Sequence, residues 1–375
     1  MFVALRDLRF ARGRFLLIGA VVTLITVLVG FLSGLTGGLA TQNISGILAL
    51  PADRLAFTVP TGDDAPSFST SSPTRDQADT IAAMPGVTRV DPLGISQLRA
   101  ESPTTGAAVA VFGVPADSSM SGPAEGDTTG SSALSDGAST FSAPAESTIA
   151  LSEAAADELD AAVGDDVTIG GTSFRVDSVG PDAWYSHTPV VEISIADWRA
   201  LAEATGSPDA FATVLAVSGA PDWAAVDAEA GVVSETLVGS LTALSAFRSE
   251  VGSLLLMVAM LFGISGLVIG AFFTVWTMQR QGDVAVLKAL GASTRSLARD
   301  ALGQALFVLL VGIGTGIGLV AILGALAGQA LPFLLSPLTT LVPGAIMVAL
   351  GLAGAAFALR SVTSADPLTA LGGNR

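Results

Sequence analysis

Four runs of apolar residues, each long enough to cross a bilayer, decide what this chain can fold into. They lie at about Phe15–Leu35, Val251–Met278, Ala301–Leu331 and Val342–Leu359. A spanning helix needs about 20 such residues, and in hydrocarbon the backbone must satisfy its own hydrogen bonds. The chain therefore reads as a polytopic α-helical membrane protein with four transmembrane helices. Arg6, Arg9, Arg12 and Arg14 precede the first run, which places the N-terminus in the cytoplasm by the positive-inside rule. A cleavable signal peptide is the rival reading of that start. The run exceeds a usual signal core, and three later spans make a retained first span natural. Arg280 and Arg360, after the second and last spans, give the same orientation, with both termini inside a multi-pass protein of the cell membrane.

Between the first and second spans lies a hydrophilic segment that holds most of the charge. Residues 41–250 carry 29 of the 33 acidic residues and 7 of the 17 basic ones, so the acidity belongs to this segment and argues against nucleic acid as a partner. The chain has no cysteine, which excludes disulfides, thiolate zinc sites and thiol nucleophiles. About 200 residues can bury a core without them. Residues 1–40 read as the N-terminus and first span, 41–248 as a large extracytoplasmic α+β domain, and 249–375 as three spans with a cytoplasmic loop. Within the domain, helices are predicted over Pro73–Met84, Ser152–Ala162 and Ala196–Ala204, with Ser152 as a cap. Strands are predicted over Ala107–Val114, Val190–Ile195 and Ala212–Val217, the last read as the final strand, and PGVTRVDPLG, after the first helix, reads as a turn into a further strand. A hairpin over Val163–Val179 turns at Gly170-Gly171. The Ser- and Gly-rich stretch at 117–146 reads as a flexible insertion.

The loop from Met278 to Gln304 gathers Arg280, Lys288, Arg295 and Arg299 between two spans. Asp283 to Leu290 reads as a two-turn helix with Val284, Leu287 and Leu290 on one side. Gly291 supplies a left-handed stop, and Ser293 or Thr294 can cap the helix that returns to the membrane. A water-facing helix with an apolar side needs something to bury against, although charge alone would allow a plain cytoplasmic loop. Lys288, the only lysine, lacks the glycine spacing of a phosphate loop, so this chain has no nucleotide site of that kind.

The run VAVLKALGAS, after an Arg-Gln-Gly-Asp turn, resembles the signature of FtsX/MacB-type ABC transporter permeases, and the tail SADPLTALGG is similar to their C-terminus. Asp283 stands where that family usually has glutamate. The resemblance implies a coupling helix near 283–291 that docks on a separate ATPase subunit, present in two copies, where ATP and magnesium bind. It assigns the contact to Asp283, Val284, Leu287, Lys288, Leu290, Gly291 and Arg295. It also implies a dimer with a second copy of this permease, no catalysis by the chain itself, and mechanical transmission of ATP-driven motion to the outside.

At the outer rim, Arg248 and Glu250 open the second span, and Gln42 and Asn43 follow the first. Such groups read either as interfacial anchors or as a lateral access site between these spans. For the latter, Phe31, Phe247, Met257 and Met260 would be the apolar walls. Gly266, Gly270, Gly312, Gly314, Gly316 and Gly318 allow close helix approach, within one chain or between two. Tyr185 and His187 could each ligate haem iron, but two residues on a loop beside Pro189 read first as surface. The opening RDLRFARGRFLL and the stretch LSGLTGGLATQNISGI resemble haem-exporter permeases of Gram-positive bacteria. That resemblance implies haem, flat, apolar and edged by propionates, as cargo drawn from membrane lipid. Antimicrobial peptides and lipids are other cargoes of such exporters. An FtsX-like regulator of an external cell-wall hydrolase is the alternative that transports nothing.

Overall fold

The structure, a computed structural model, describes residues 12–59, 65–115, 144–279, 282, 286 and 290–363. Most of the expected 117–146 insertion, the N-terminal arginines Arg6 and Arg9, and the SADPLTALGG tail lie outside the described residues. Four helices are long and apolar enough to cross a membrane. They flank a large β-rich extracytoplasmic domain inserted between the first and the other three. Contacts group the chain into two compact units, one of residues 1–38 with 253–375 and one of 39–252.

α1 (Arg12–Leu48) continues well past the apolar run that starts it, its last ten residues lying in the second unit. The domain elements follow in chain order. They are β1 (Arg54–Phe57), α2 (Arg75–Ala82), β2 (Val87–Glu101), β3 (Gly106–Val114), β4 (Thr148–Ser152), α3 (Glu153–Leu159), β5 (Asp166–Ile169) and β6 (Thr172–Gly180). Next come β7 (Trp184–Tyr185), β8 (Thr188–Ser194), α4 (Ile195–Ala204), β9 (Val214–Gly219), α5 (Trp223–Ala230), β10 (Val233–Thr236) and the short α6 (Leu237–Ser240). The chain then returns to the first unit through α7 (Ser245–Gln279), α8 (Thr294–Ala327) and α9 (Pro337–Thr363). The α7–α9 helices carry the three later spans.

The membrane unit is packed through glycine. A Cβ on Gly312 would meet Val22 at 2.9 Å, one on Gly316 would meet Thr26 at 2.6 Å, and one on Gly30 would meet Val320 at 2.7 Å. These three contacts form a seam between α1 and α8, where the Thr23 hydroxyl donates to the Gly312 carbonyl at 3.0 Å. Gly354 of α9 lies against Gly270 of α7, and Gly351 against Leu309. Gly314 and Gly318 have nothing within reach. Of the six glycines singled out in the sequence, four therefore serve packing within the chain. Small residues matter here because lipid gives no hydrophobic drive for helix association, so close contact must supply it.

In the extracytoplasmic unit, β2 belongs to two sheets. Its first half, Val87–Leu93, pairs with β9, which leads on to β1 and β10. Its second half, Gly94–Glu101, pairs with β3. From there the path β3–β8–β4–β6–β5 returns to β2 through Ala100↔Ile169 and Glu101↔Thr168, closing a ring of six strands. The β3–β8 and β4–β6 pairs are parallel. The predicted Gly170-Gly171 hairpin is β5–β6, with both glycines at positive φ. Ser152 caps α3 as expected. Six of these elements were not predicted: β1, β4, β7, α5, α6 and β10. The last of these falls after the strand expected to be final.

Gly94 and Gly113 face each other across β2 and β3, and Trp198 of α4 lies over both, so that a Cβ on either would fall on its side chain. The Trp198 indole N–H donates to Ser96 Oγ at 3.0 Å. Gly113→Ala should therefore lower stability by about 1–3 kcal/mol, the usual cost of overfilling a packed core. An unfolding midpoint unchanged from wild type, followed by tryptophan fluorescence, would contradict this seat for Trp198.

Glu192 breaks the apolar run of β8. Its strand neighbours across the sheet are Phe112 and Ala150, both core residues, and it is itself fully buried. Neither carboxyl oxygen has a hydrogen-bond partner. Burial pushes its pKa up to about 8.

Candidate functional site

Two places carry the residues that the sequence singled out. The first is the loop between α7 and α8. Gly291 takes the left-handed conformation, at φ +95°, where a side chain would be strained. Ser293 caps α8, its hydroxyl accepting from the Ser296 N–H at 3.2 Å. The Leu290 N–H donates to the Val286 carbonyl at 3.0 Å, which is one helical turn. The Leu290 side chain is 79% exposed, and Val286 and Arg295 are also exposed. Asp283, Val284, Leu287 and Lys288 lie outside the described residues.

The second place is built by a two-residue hairpin turn. β7 and β8 pair Tyr185 with Thr188, which leaves Ser186 and His187 as the turn. Both are left-handed, at φ +49° and +66°. This mirror-image turn matches strand twist, but it usually calls for glycine or asparagine. Two non-glycine residues persist there because the turn is docked onto the outer end of α1. The Ser186 N–H donates to the Asn43 carbonyl and the His187 N–H to the Gln42 carbonyl, both at 3.0 Å. The Trp184 N–H donates to Ser45 Oγ at 2.9 Å. Tyr185 points the other way, into the core, with its ring edge-on to Phe68 and Phe112.

The same turn reaches the start of α7. His187 Nε2 lies 2.6 Å from Glu250 Oε2. Asn43 Nδ2 is 3.0 Å from that nitrogen, 3.4 Å from that oxygen and 3.2 Å from the Leu39 carbonyl, to which it donates. Asn43 is completely buried, whereas His187 and Glu250 remain partly open to solvent, with side chains 33% and 45% exposed.

The rim residues named from sequence thus divide. Asn43 and Glu250 meet, and Gln42 takes part through its carbonyl. Arg248 is exposed and makes no ion pair among the described residues. Phe247 packs against the domain core. Phe31 and Met257 belong to the membrane unit, where Phe31 meets Phe333 in a tilted ring pair with centroids 5.0 Å apart and Met257 is exposed. His187 completes the cluster that Asn43 and Glu250 begin. The available signal was that the chain's only histidine follows an aromatic pair in a hairpin. Tyr185, its neighbour two residues back, is a core residue.

Residues 253–367 match the family FtsX-like permease C-terminal. Over the whole chain there is 24% identity across 376 aligned residues to a candidate hemin transport system permease protein, HrtB, of Staphylococcus haemolyticus (strain JCSC1435), covering 100% of this chain and 99% of that protein. An uncharacterized ABC transporter permease of Mycobacterium tuberculosis (strain ATCC 25618 / H37Rv) is 26% identical across 388 residues, with the same coverage of 100% and 99%. Among solved structures, the periplasmic region of MacB from Actinobacillus actinomycetemcomitans aligns with a TM-score of 0.34 and 11% identity, covering 51% of this chain and 92% of that one.

Proposed function

We infer that this chain, which carries an FtsX-like permease region across its last three spans, is the membrane subunit of an ATP-driven ABC efflux transporter. ATP hydrolysis resides in a separate subunit. The match over residues 253–367 carries this reading, because it spans α7, α8, α9 and the loop between α7 and α8. The working assembly would be a dimer of this chain with two ATPase subunits and their ATP and magnesium. Closure of the ATPases would press on the segment near 283–291, where the exposed Leu290 offers apolar surface. The motion would pass along α7 to the extracytoplasmic domain.

Haem, or another amphipathic compound taken from the membrane, is the proposed cargo. Two observations support it: the full-length similarity to a protein named for hemin transport, and a rim that combines the exposed Arg248 with Glu250 and His187. A guanidinium at that level could meet a propionate edge while the porphyrin body stays in lipid.

Two measurements test these levels separately. Asp283→Lys combined with Val284→Gln and Leu287→Gln should abolish co-purification with the partner ATPase subunit and reduce ATP turnover of the pair to that of the ATPase alone. Intact association and turnover would end the coupling proposal. Hemin added to the wild-type complex in lipid nanodiscs should raise ATP turnover several-fold, and loss of the gene should sensitise cells to hemin. No response in either assay would remove haem as the cargo and leave the transporter reading in place.

A further inference from the structure

Within the extracytoplasmic domain, α2 packs in a core with Leu215 and Val217 of β9, and α4 packs in another with Ile169 and Ile193. Phe211 stands where the chain passes from α4 to β9, packed against the first of these cores. Its ring receives a guanidinium from each. Arg75, the first residue of α2, lies 5.2 Å from the ring centre, and Arg199 of α4 lies 4.4 Å from it. The Arg199 Nε–H also donates to the Phe211 carbonyl at 2.9 Å, which holds that guanidinium in place.

Either contact alone is an ordinary cation–π pair. Together they gather two like charges on one ring. Burial and the Arg75 charge both lower the Arg199 pKa. A guanidinium does not relieve this by losing its proton, so relief has to come from an anion. Asp79 and Glu203 stand one helical turn from Arg75 and Arg199 on the same helices, yet neither arginine makes an ion pair among the described residues. Elsewhere in the domain the acids do pair, Asp91 with Arg89 and Glu101 with Arg99. The remaining N–H groups of Arg199 and all those of the exposed Arg75 have no acceptor among the described residues.

We propose that Arg75 and Arg199, gathered on Phe211, form a binding site for a doubly charged oxyanion of the phosphate class. A phosphate group carries about −1.5 to −2 charges at neutral pH, which matches two guanidiniums, and its oxygens accept their forked N–H pairs. A single carboxylate would leave one charge unmatched. The acidic excess of residues 41–250 repels anions at a distance, but physiological salt screens that field beyond about 8 Å. At contact the two arginines decide. Since they belong to helices of different cores, the bound anion would also tie α2 to α4. This site is separate from the transporter reading and does not depend on it.

The test titrates the purified full-length chain in detergent with sodium phosphate and with glycerol phosphate by calorimetry, against sodium acetate at equal ionic strength. Binding of phosphate at one site per chain is expected, with no saturable response to acetate. Tighter binding of the inorganic ion would mark free phosphate as the ligand, and tighter binding of the ester a phosphomonoester; either supports the site. Arg75→Gln, at an exposed position, should weaken binding by about 10–100-fold. Arg199→Gln should do the same, and Arg75→Gln decides alone if that variant does not fold. Arg75→Glu supplies the missing carboxylate to Arg199, so it should abolish phosphate binding and raise the unfolding midpoint in sodium chloride. Phosphate stabilises many folds by exclusion from their surface, so the midpoint gain that counts is the one wild type shows beyond Arg75→Gln. No saturable phosphate or ester binding by the wild type, an equal response to acetate, or unchanged affinity in Arg75→Gln would overturn the site.

Discussion

Replacing Glu192 with glutamine should leave the unfolding midpoint of the extracytoplasmic domain nearly unchanged at pH 4.5 and raise it clearly at pH 8 and above. The side chain is buried beside Phe112 and Ala150, and neither oxygen has a partner. Its charged form is therefore penalised by the fold and by nothing in the unfolded chain. Burial lifts the pKa from 4.5 to about 8. Below pH 4.5 the group is protonated in both states and imposes no charge cost. Between pH 4.5 and 8 the unfolded chain loses its proton while the folded one keeps it, so stability falls as pH rises. Above the folded pKa the full penalty has been reached. With about 1.4 kcal/mol for each tenfold change in proton affinity, the loss is on the order of 5 kcal/mol.

Glutamine cannot ionise and fills the same space, so the difference between the two proteins isolates this one proton from every other titration. Glu192→Leu should be at least as stable as glutamine at every pH, because it also removes the unsatisfied polar atoms. Three of the four tryptophans, Trp184, Trp198 and Trp223, lie in this domain, so fluorescence melts of the full chain in detergent report on it. A domain of about 200 residues moves by about 2–4 °C per kcal/mol, which predicts a shift of roughly 10 °C or more in alkaline buffer. Parallel pH profiles for wild type and glutamine would mean that Glu192 finds a partner or water in solution.

Glu192 also shows why part of the domain escaped the sequence. A glutamate inside VVEIS suggests a strand with one wet face, yet both faces of β8 are covered. The short strands β1 and β10 have only four residues each, too few for alternation to register, and β1 finds its partners about 160–180 residues away. Pro92 argues against a long strand, but it sits in β2 opposite Leu215, where the chain passes from one sheet to the other. What was readable was local or imposed by lipid: the four spans, the Ser152 and Ser293 caps, the Gly170-Gly171 hairpin and the Gly291 stop. The rim followed the same division. Asn43 and Glu250 could be named because each adjoins a span end. His187 could not be joined to them, since it is 144 residues from one and 63 from the other in sequence.

Gly316→Leu should eliminate the folded membrane unit, whereas Gly314→Leu, two residues away on the same helix, should leave it intact. On α8 the two positions differ by roughly 200° of helical rotation. A Cβ on Gly316 would lie 2.6 Å from Thr26 Cβ and 3.1 Å from the Thr23 carbonyl, whereas one on Gly314 meets nothing within 4 Å. Room for four more carbons at Gly316 can come only from parting α1 and α8. That would take with it the contacts of Gly312 on Val22, Gly30 on Val320 and the Thr23 hydrogen bond. In water, such a seam could reopen and still bury apolar surface, but in lipid the parted faces gain nothing from being together. The cost should therefore exceed the about 1–3 kcal/mol typical of overfilled cores. Loss of the monodisperse peak on size exclusion is the expected readout for Gly316→Leu, with wild-type elution and melting for Gly314→Leu and Gly318→Leu. Equal tolerance at all three positions would show that the α1–α8 seam is looser than its glycines imply. If Gly314→Leu or Gly318→Leu folds normally but elutes as a smaller assembly, the open face of α8 is the surface by which two copies meet, and the glycines of one short stretch divide between the two kinds of packing.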